Sequence, residues 1–457
     1  MYTYQDLLGA DDVMKFIRNA IVKHEQSDEF QIACDAQQYY KHQNVTIVNY
    51  KKLIYTVTGK LVPDKFNANY KLASKFFYRF VTQENQYLLS NGVTWDKSET
   101  SDKLGNKQYD FDHQLQEAGR NALIEGVSFG FWNLDHLEVF KFTEFVPLYD
   151  EITGALRAGI RYWQIDTTKP LRATLYEEDG YTEYIWGDRT LSDGKGEILN
   201  EKTKYILHIQ SSEADGIQIT DGENYPSFPI VPLWGNPAHQ SELIGLREQI
   251  DCYDLIKSGF ANTVDEASII YWTLQNAGGM DDMDLAEFVK RMQTIHAVNL
   301  DDGVQAEGHS LDAPFESREA LLTRLRGDMY EDAMALDTKN IANGAVTATQ
   351  IDAAYEPLDS KANEYEYQIL QFVQGILNLA GIEDTATFTR SKIVNMQENI
   401  TAIMTCAQYL ESGYVTKKLL TMFGDGDLAE EMTAAMDEAE LQQFGSVQND
   451  NTGAFSS

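Results

Sequence analysis

Residues 241–267 read SELIGLREQIDCYDLIKSGFANTVDEA, and the spacing within this stretch decides the fold. Leu243, Leu246, Ile250, Tyr253, Phe260, Val264 and Ala267 recur at helical intervals, with Lys257 alone interrupting the stripe. Ser241 stands where an N-cap belongs. The pattern predicts a long amphipathic helix of roughly 25 to 30 residues, near 40 Å at about 1.5 Å per residue. On the other side Glu248, Asp251, Asp254 and Lys257 share a narrow sector with Glu242, a polar and mostly acidic face. In a single copy the apolar stripe is a packing face. In a ring of copies the acidic sector is free to line a lumen.

Downstream, the spacing predicts a small α/β unit: an apolar strand Ile269 to Leu274, a break at Gly278-Gly279, a helix near Met283 to Met292, and a strand Thr294 to Asn299. A second long helix opens around Ser317 and carries Leu322, Leu325, Met329, Ala333 and Leu336. Two long helices therefore bracket the small unit. Asp337 to Gln350, DTKNIANGAVTATQ, has small residues and no stable apolar face, so it reads as a flexible loop. A further helix is expected from Asp359 to Ala380, stopped by Gly381. The remainder reads as helical to about Phe444, with no Lys or Arg from Gly424 onward, and Gly445 to Ser457 reads as a disordered tail.

Upstream, Phe129 to Pro232 changes to short β-rich runs, such as Leu171 to Tyr176 and Tyr181 to Trp186 around Asp179-Gly180. Further Asp-Gly pairs at Asp193, Asp215 and Asp221 are expected at turns. The region reads as a largely antiparallel meander. From Tyr2 to about Gly130 the pattern is helical, with Asn67 as an N-cap before Leu72, Phe76, Phe77, Phe80 and Val81, and a second helix over Phe111 to Glu125. Trp95 to Asn106 reads as an exposed loop. The fold class is α+β, mainly α.

Composition narrows the function. The chain has 457 residues, with 37 Lys+Arg against 71 Asp+Glu, for a net charge of −34. Affinity for nucleic acid comes mainly from cations neutralising phosphates, so tight static DNA binding is not expected. The excess charge reads either as a solubility bias or as a surface that repels a polyanion. Cys34, Cys252 and Cys406 are far apart, and the eight histidines are scattered, so neither a disulfide framework nor a metal site is expected. No cofactor is implied, since no GxxxxGK[ST] loop occurs. Met1 to Val13 lacks the pattern of a secretory signal, and Ile369 to Ile382 is too short and interrupted to span a bilayer.

One string points to an enzyme. Gly126-Val127-Ser128-Phe129-Gly130 matches GxSxG, which would make Ser128 a hydrolase nucleophile. That elbow needs a strand before the serine and a helix after it, and here the order is inverted. A glycine-rich helix-to-strand turn explains the string without catalysis, and no spacing singles out His136, His208 or His239 as a partner.

The order of elements, together with FNANYKLASKFFYRFVTQENQYLLSNGVTW, EAGRNALIEGVSFGFWNLD, FPIVPLWGN and EQIDCYDLIKSGFANTVDEAS, resembles tailed-phage portal proteins of the siphophage type over nearly the full length. The resemblance implies a portal architecture: wing (1–239, helical to about 128 and then β-rich), stem helix (240–268), clip (269–314), stem helix (315–337), tunnel loop (338–350), wing helix (351–394), crown (395–444) and tail (445–457). It implies a homo-oligomer, a ring of twelve in the virion, through which double-stranded DNA is packaged and ejected. Its partners would be the terminase large subunit, head-tail connector proteins, and the major capsid and scaffold proteins, with assembly in the host cytoplasm and no membrane. Lys339, Asn340 and Asn343 would face DNA in the tunnel loop, and Glu248, Asp251, Asp254 and Lys257 would face the lumen from the stem. GAVTATQI resembles the exit of that loop, with Thr349-Gln350 departing from the family's apolar residue. Another phage head-assembly protein is the alternative.

Overall fold

A computed structural model describes residues 2–55, 59–64, 68–166, 168–187, 196–212, 216–267, 271–275, 281, 283–284, 287–288, 290, 305–309, 315–341, 348–392, 396–410 and 412–423. Chain contacts divide it into two units, Met1–Ala335 with Ser360–Arg390, and Leu336–Asp359 with Ser391–Ser457.

The N-terminal part is helical: α1 (Tyr4–Leu8), α2 (Val13–Glu25), α3 (Asp28–Tyr40), α4 (Val45–Asn49), then a hairpin of β1 (Leu53–Tyr55) and β2 (Leu61–Pro63). Next come α5 (Phe76–Leu89), β3 (Val93–Trp95), α6 (Glu99–Lys103) and α7 (Phe111–Glu125). The expected helix over Phe111 to Glu125 forms with those bounds because Asp110 accepts the His113 amide at its start and Gly126 adopts φ +91° at its end. The helix expected after Asn67 starts later, at Phe76. Leu72 precedes it because residues 70–74 stay extended along another helix, described below. Asn67 itself lies outside the described residues. The loop expected over Trp95 to Asn106 is partly structured and partly inside: α6 forms, and Thr100 and Leu104 are buried.

The β region is antiparallel throughout. It comprises β4 (Val127–Asn133), β5 (His136–Lys141), β6 (Phe145–Tyr149), β7 (Leu156–Trp163), β8 (Leu171–Glu177), β9 (Gly180–Trp186), β10 (Gly196–Thr203), β11 (Ile206–Ser212), β12 (Gly216–Glu223) and β13 (Ile230–Trp234). Strands β10-β9-β8-β7-β6 form a five-stranded meander, β13-β4-β5 a second sheet, and β11-β12 a hairpin. The Asp179-Gly180 turn lies between β8 and β9 as expected. Asp221-Gly222 instead lies inside β12, paired with His208 and Leu207 just after a register shift; Asp193 and Asp215 lie outside the described residues.

Then follow α8 (Arg247–Ala267), a hairpin of β14 (Tyr271–Gln275) and β15 (Gln305–His309), α9 (Phe315–Asp332), α10 (Thr338–Ile341), α11 (Ala348–Ala380), β16 (Ala386–Phe388), α12 (Met396–Cys406) and α13 (Ser412–Phe423). The first long helix begins at Arg247, not at Ser241, and has 21 residues, about 31 Å. Ser241 Oγ donates to the Ile124 carbonyl and accepts the Leu243 amide, and Gly245 takes φ +89°, so this stretch is a turn. The strand expected over Thr294 to Asn299 lies outside the described residues, and the partner of β14 is β15, which the pattern missed. The loop expected over Asp337 to Gln350 is helical at both described ends, in α10 and the start of α11. Pro357 sits inside α11, which starts at Ala348 rather than Asp359. At its end Gly381 has φ +67°, with Gly381 N–H donating to Asn378 O and Ile382 N–H to Leu377 O, a Schellman closure.

Among the described residues, three apolar interiors result. One joins α5, α7 and α11 through Phe77, Leu88, Leu115, Tyr365 and Phe372. A second packs α2 on the five-stranded sheet through Ile17, Ile21, Leu148 and Ile160. The third is aromatic, with Phe129, Phe140 and Phe145 between β4, β5 and β6. Gly130 lets α11 approach β4, since a Cβ there would stand 2.4 Å from the Phe372 ring.

Candidate functional site

The paired long helices are the part of the molecule on which function turns. Gln249 donates to Asp332 Oδ2 at one end (2.5 Å), while at the other Arg318 donates to Thr263 Oγ1 (2.8 Å) and the Phe260 and Phe315 rings lie 5.5 Å apart. Helices α8 and α9 are therefore antiparallel neighbours. The β14-β15 hairpin is inserted between them in sequence.

The acidic sector of α8 is not the open face that its sequence suggests. Asp254 is fully buried. Its carboxylate accepts the Asn44 amide and the Ser74 N–H (2.9 Å), and burial raises its pKa despite these hydrogen bonds. Asp251 accepts from the Tyr39 hydroxyl and from Thr46 Oγ1 (2.6 Å). Burial and the Asp251 hydrogen bond push the Tyr39 phenol up to about 12. Arg247 bridges to Asp35 at 2.8 Å. Asp254 therefore does not line an open lumen, and Asp251 binds α3 and α4. Two of the four stem residues stay outward: Glu248 is exposed, and half-buried Lys257 lies 5.9 Å from the Tyr253 ring.

Asp254 also takes part in a backbone contact along α8. The amides of Tyr70, Leu72 and Ser74 donate to Asn262 Oδ1 (2.7 Å), Ser258 Oγ (2.9 Å) and Asp254 Oδ1 (2.9 Å). Alternate amides of an extended chain point the same way and repeat every ~6.7 Å, while every fourth residue of a helix repeats every ~6 Å. The two periods match closely enough for three successive bonds. Segment 70–74 runs antiparallel to α8 for this reason.

A second buried cluster escaped the sequence reading. Lys361 on α11 bonds Glu84 (2.8 Å) and Glu242 (2.6 Å), and also lies 3.4 Å from the Ala333 carbonyl at the end of α9. Burial raises Glu84 to about 7, with repulsion from Glu242 added and attraction to Lys361 opposing; the two carboxylates keep Lys361 protonated. The signal was present: Lys361 precedes buried Tyr365 by four residues, and Glu84 lies between Val81 and Leu88, so both charges fall on apolar helix faces.

In the loop, Lys339 sits in α10 with its amide donating to Asp337 Oδ1 at 3.1 Å. Asn340 belongs to the same helix, and Asn343 lies outside the described residues. Ser128 is fully buried, and its Oγ donates to the Ala118 carbonyl at 2.7 Å. That hydroxyl locks β4 to α7, at the helix-to-strand turn that the glycines of the string suggest. Among the described residues, no group of three or more His, Cys, Asp or Glu is arranged to hold a metal ion, and no helix is long and apolar enough to cross a membrane.

Two long antiparallel helices thus bracket an inserted hairpin, with charged side chains tied internally beside them. The chain belongs to the phage portal protein family: the family model described as "Phage portal protein, SPP1 Gp6-like" matches residues 19–440. The portal protein of Bacillus phage SPP1 is 24% identical over 451 residues, covering 90% of this chain and 84% of the relative. That of Clostridium phage phiCD119 is 24% identical over 362 residues, covering 73% and 76%. Among solved structures, the neck of an empty gene transfer agent particle matches with a TM-score of 0.45 at 11% identity, over 76% of this chain and 90% of that one. The virion of the native particle matches with a TM-score of 0.44 at 12% identity, over 76% and 89%.

Proposed function

We propose that the chain assembles as a ring of twelve at one vertex of the virion and forms the conduit through which double-stranded DNA is packaged and later ejected. The observation that carries this reading is the antiparallel pair α8 and α9 bracketing β14-β15, in a chain that the portal family model spans from 19 to 440. On this reading residues 240–268 and 315–337 are the stem, 269–314 the clip that receives the terminase large subunit and then connector proteins, and 338–350 the tunnel loop. Residues 1–239 and 351–394 make the wing, and 395–444 the crown. Capsid and scaffold proteins surround the ring, which is assembled in the host cytoplasm.

Glu248 and Lys257 remain the stem residues suited to face a lumen. A carboxylate there resists phosphate contact, and a lysine centres the duplex without trapping it. Lys339, Asn340 and Asn343 are proposed to touch DNA from the loop. The test is the native mass of the purified full chain, with negative-stain images of the same sample. Rings with a hole wide enough for a duplex support the reading, and a strict monomer at high concentration sinks it.

A further inference from the structure

Charge is distributed unevenly along this chain. Between Lys41 and Arg79 there are eight Lys and Arg and one acid, Asp64, a net +7, which leaves −41 on the other residues. Lys51 and Lys75 are exposed, and their side chains take no ion pair or hydrogen bond among the described residues. The same region exposes large apolar side chains: Leu53 (50%), Tyr55 (74%) and Leu61 (54%) on the β1-β2 hairpin, and Tyr70 (50%) beside it. Lys71 joins the two, its Nζ donating to the Val48 carbonyl near the root of the hairpin.

The backbone is open here as well. Segment 70–74 spends its even-numbered amides on α8, so the amides and carbonyls of Lys71 and Ala73 point the other way. Neither residue's backbone has a hydrogen-bond partner among the described residues. An isolated two-stranded hairpin with exposed aromatic residues is marginal in water, and an unpaired extended edge invites another chain.

From these observations we infer that the face formed by Lys51, Leu53, Tyr55, Leu61, Tyr70, Lys71 and Lys75 docks against an acidic surface of a second copy of this chain. Charge complementarity names the occupant, because every copy brings a segment of formal charge +7 and a remainder of −41. Tyrosines with an open strand edge suit a protein contact. The inference rests on the ring reading and specifies one side of the seam between subunits.

The full-length chain carrying K51E and K75E tests it. Both side chains are solvent-facing, and Lys75 stands at the start of α5, where an acid is favoured, so the fold is expected to survive. Native mass across a concentration series is compared with wild type and with a charge-matched control, K15E with K107E, which alters exposed lysines elsewhere. The expected result is at least a tenfold rise in the concentration for half-assembly in the first variant alone, with a weaker salt dependence. A variant that assembles like wild type overturns the docking face and leaves the ring reading standing. An equal loss in the control overturns it too, as a general charge effect. Unchanged assembly with lost binding to a duplex DNA probe assigns the face to nucleic acid instead, and a wild-type monomer at every concentration removes both readings.

Discussion

Glu125 ends α7 with its carboxylate inside the protein, accepting Gln37 Nε2 (2.5 Å) and the Thr143 amide (3.0 Å). Those bonds favour the charged form, but burial outweighs them and raises the carboxyl from its ordinary 4.5 to about 7. Between those two values the folded chain holds a proton that the unfolded chain has released. Stability from this group is therefore complete below about 4.5 and is lost as pH rises through about 7. Glu125→Gln removes the titration, so its stability relative to wild type should rise from pH 5 to pH 8, by roughly 3 kcal/mol at most. Denaturant titrations at the two pH values check this, and a difference independent of pH would refute it. At Ser128 a helix precedes and a strand follows, the inverse of a nucleophile elbow, and Oγ donates to the Ala118 carbonyl.

For whole elements, the carboxylate of Asp254 ties α8 to both α4 and segment 70–74. Asp254→Ala leaves the Ser74 amide and the Asn44 side chain without that acceptor, a loss of about 2–3 kcal/mol. Faster hydrogen exchange at Ser74, Leu72 and Tyr70 should accompany it, and exchange unchanged at all three would refute the tie. Elements were legible where the local signal and the tertiary demand agreed. The bounds of α7 follow from Asp110 and Gly126, and the end of α11 from Gly381. They were illegible where tertiary contacts decide. Ser241 looks like a cap but bonds to Ile124, Pro357 looks like a break but sits within α11, and Gln305–His309 lacks strand-like residues yet pairs with β14. The acidic sector of α8 misled for a related reason: sequence locates a helical face, but not the hydroxyls of Tyr39 and Thr46 or the amide of Ser74 that meet it.

Across the whole molecule, a net −34 argues against static DNA binding, yet a conduit needs contacts brief enough to let a duplex slide. The proposed lumen meets both demands if phosphates encounter few cations per subunit and at least one outward carboxylate. Salt dependence measures that balance, because each neutralised phosphate adds about 0.9 to the slope of log affinity against log salt. Glu248 is exposed and takes no partner among the described residues, so E248K should tighten duplex binding by the assembled protein, steepen the slope and slow DNA passage. Replacing Lys339, Asn340 and Asn343 by alanine should do the reverse, with a shallower slope and reduced packaging. Both variants are compared as assembled rings of equal mass, so a change in DNA handling is separated from a failure to assemble. If E248K leaves the slope unchanged, α8 does not face the duplex; if the alanine variant packages normally, the loop residues do not grip it.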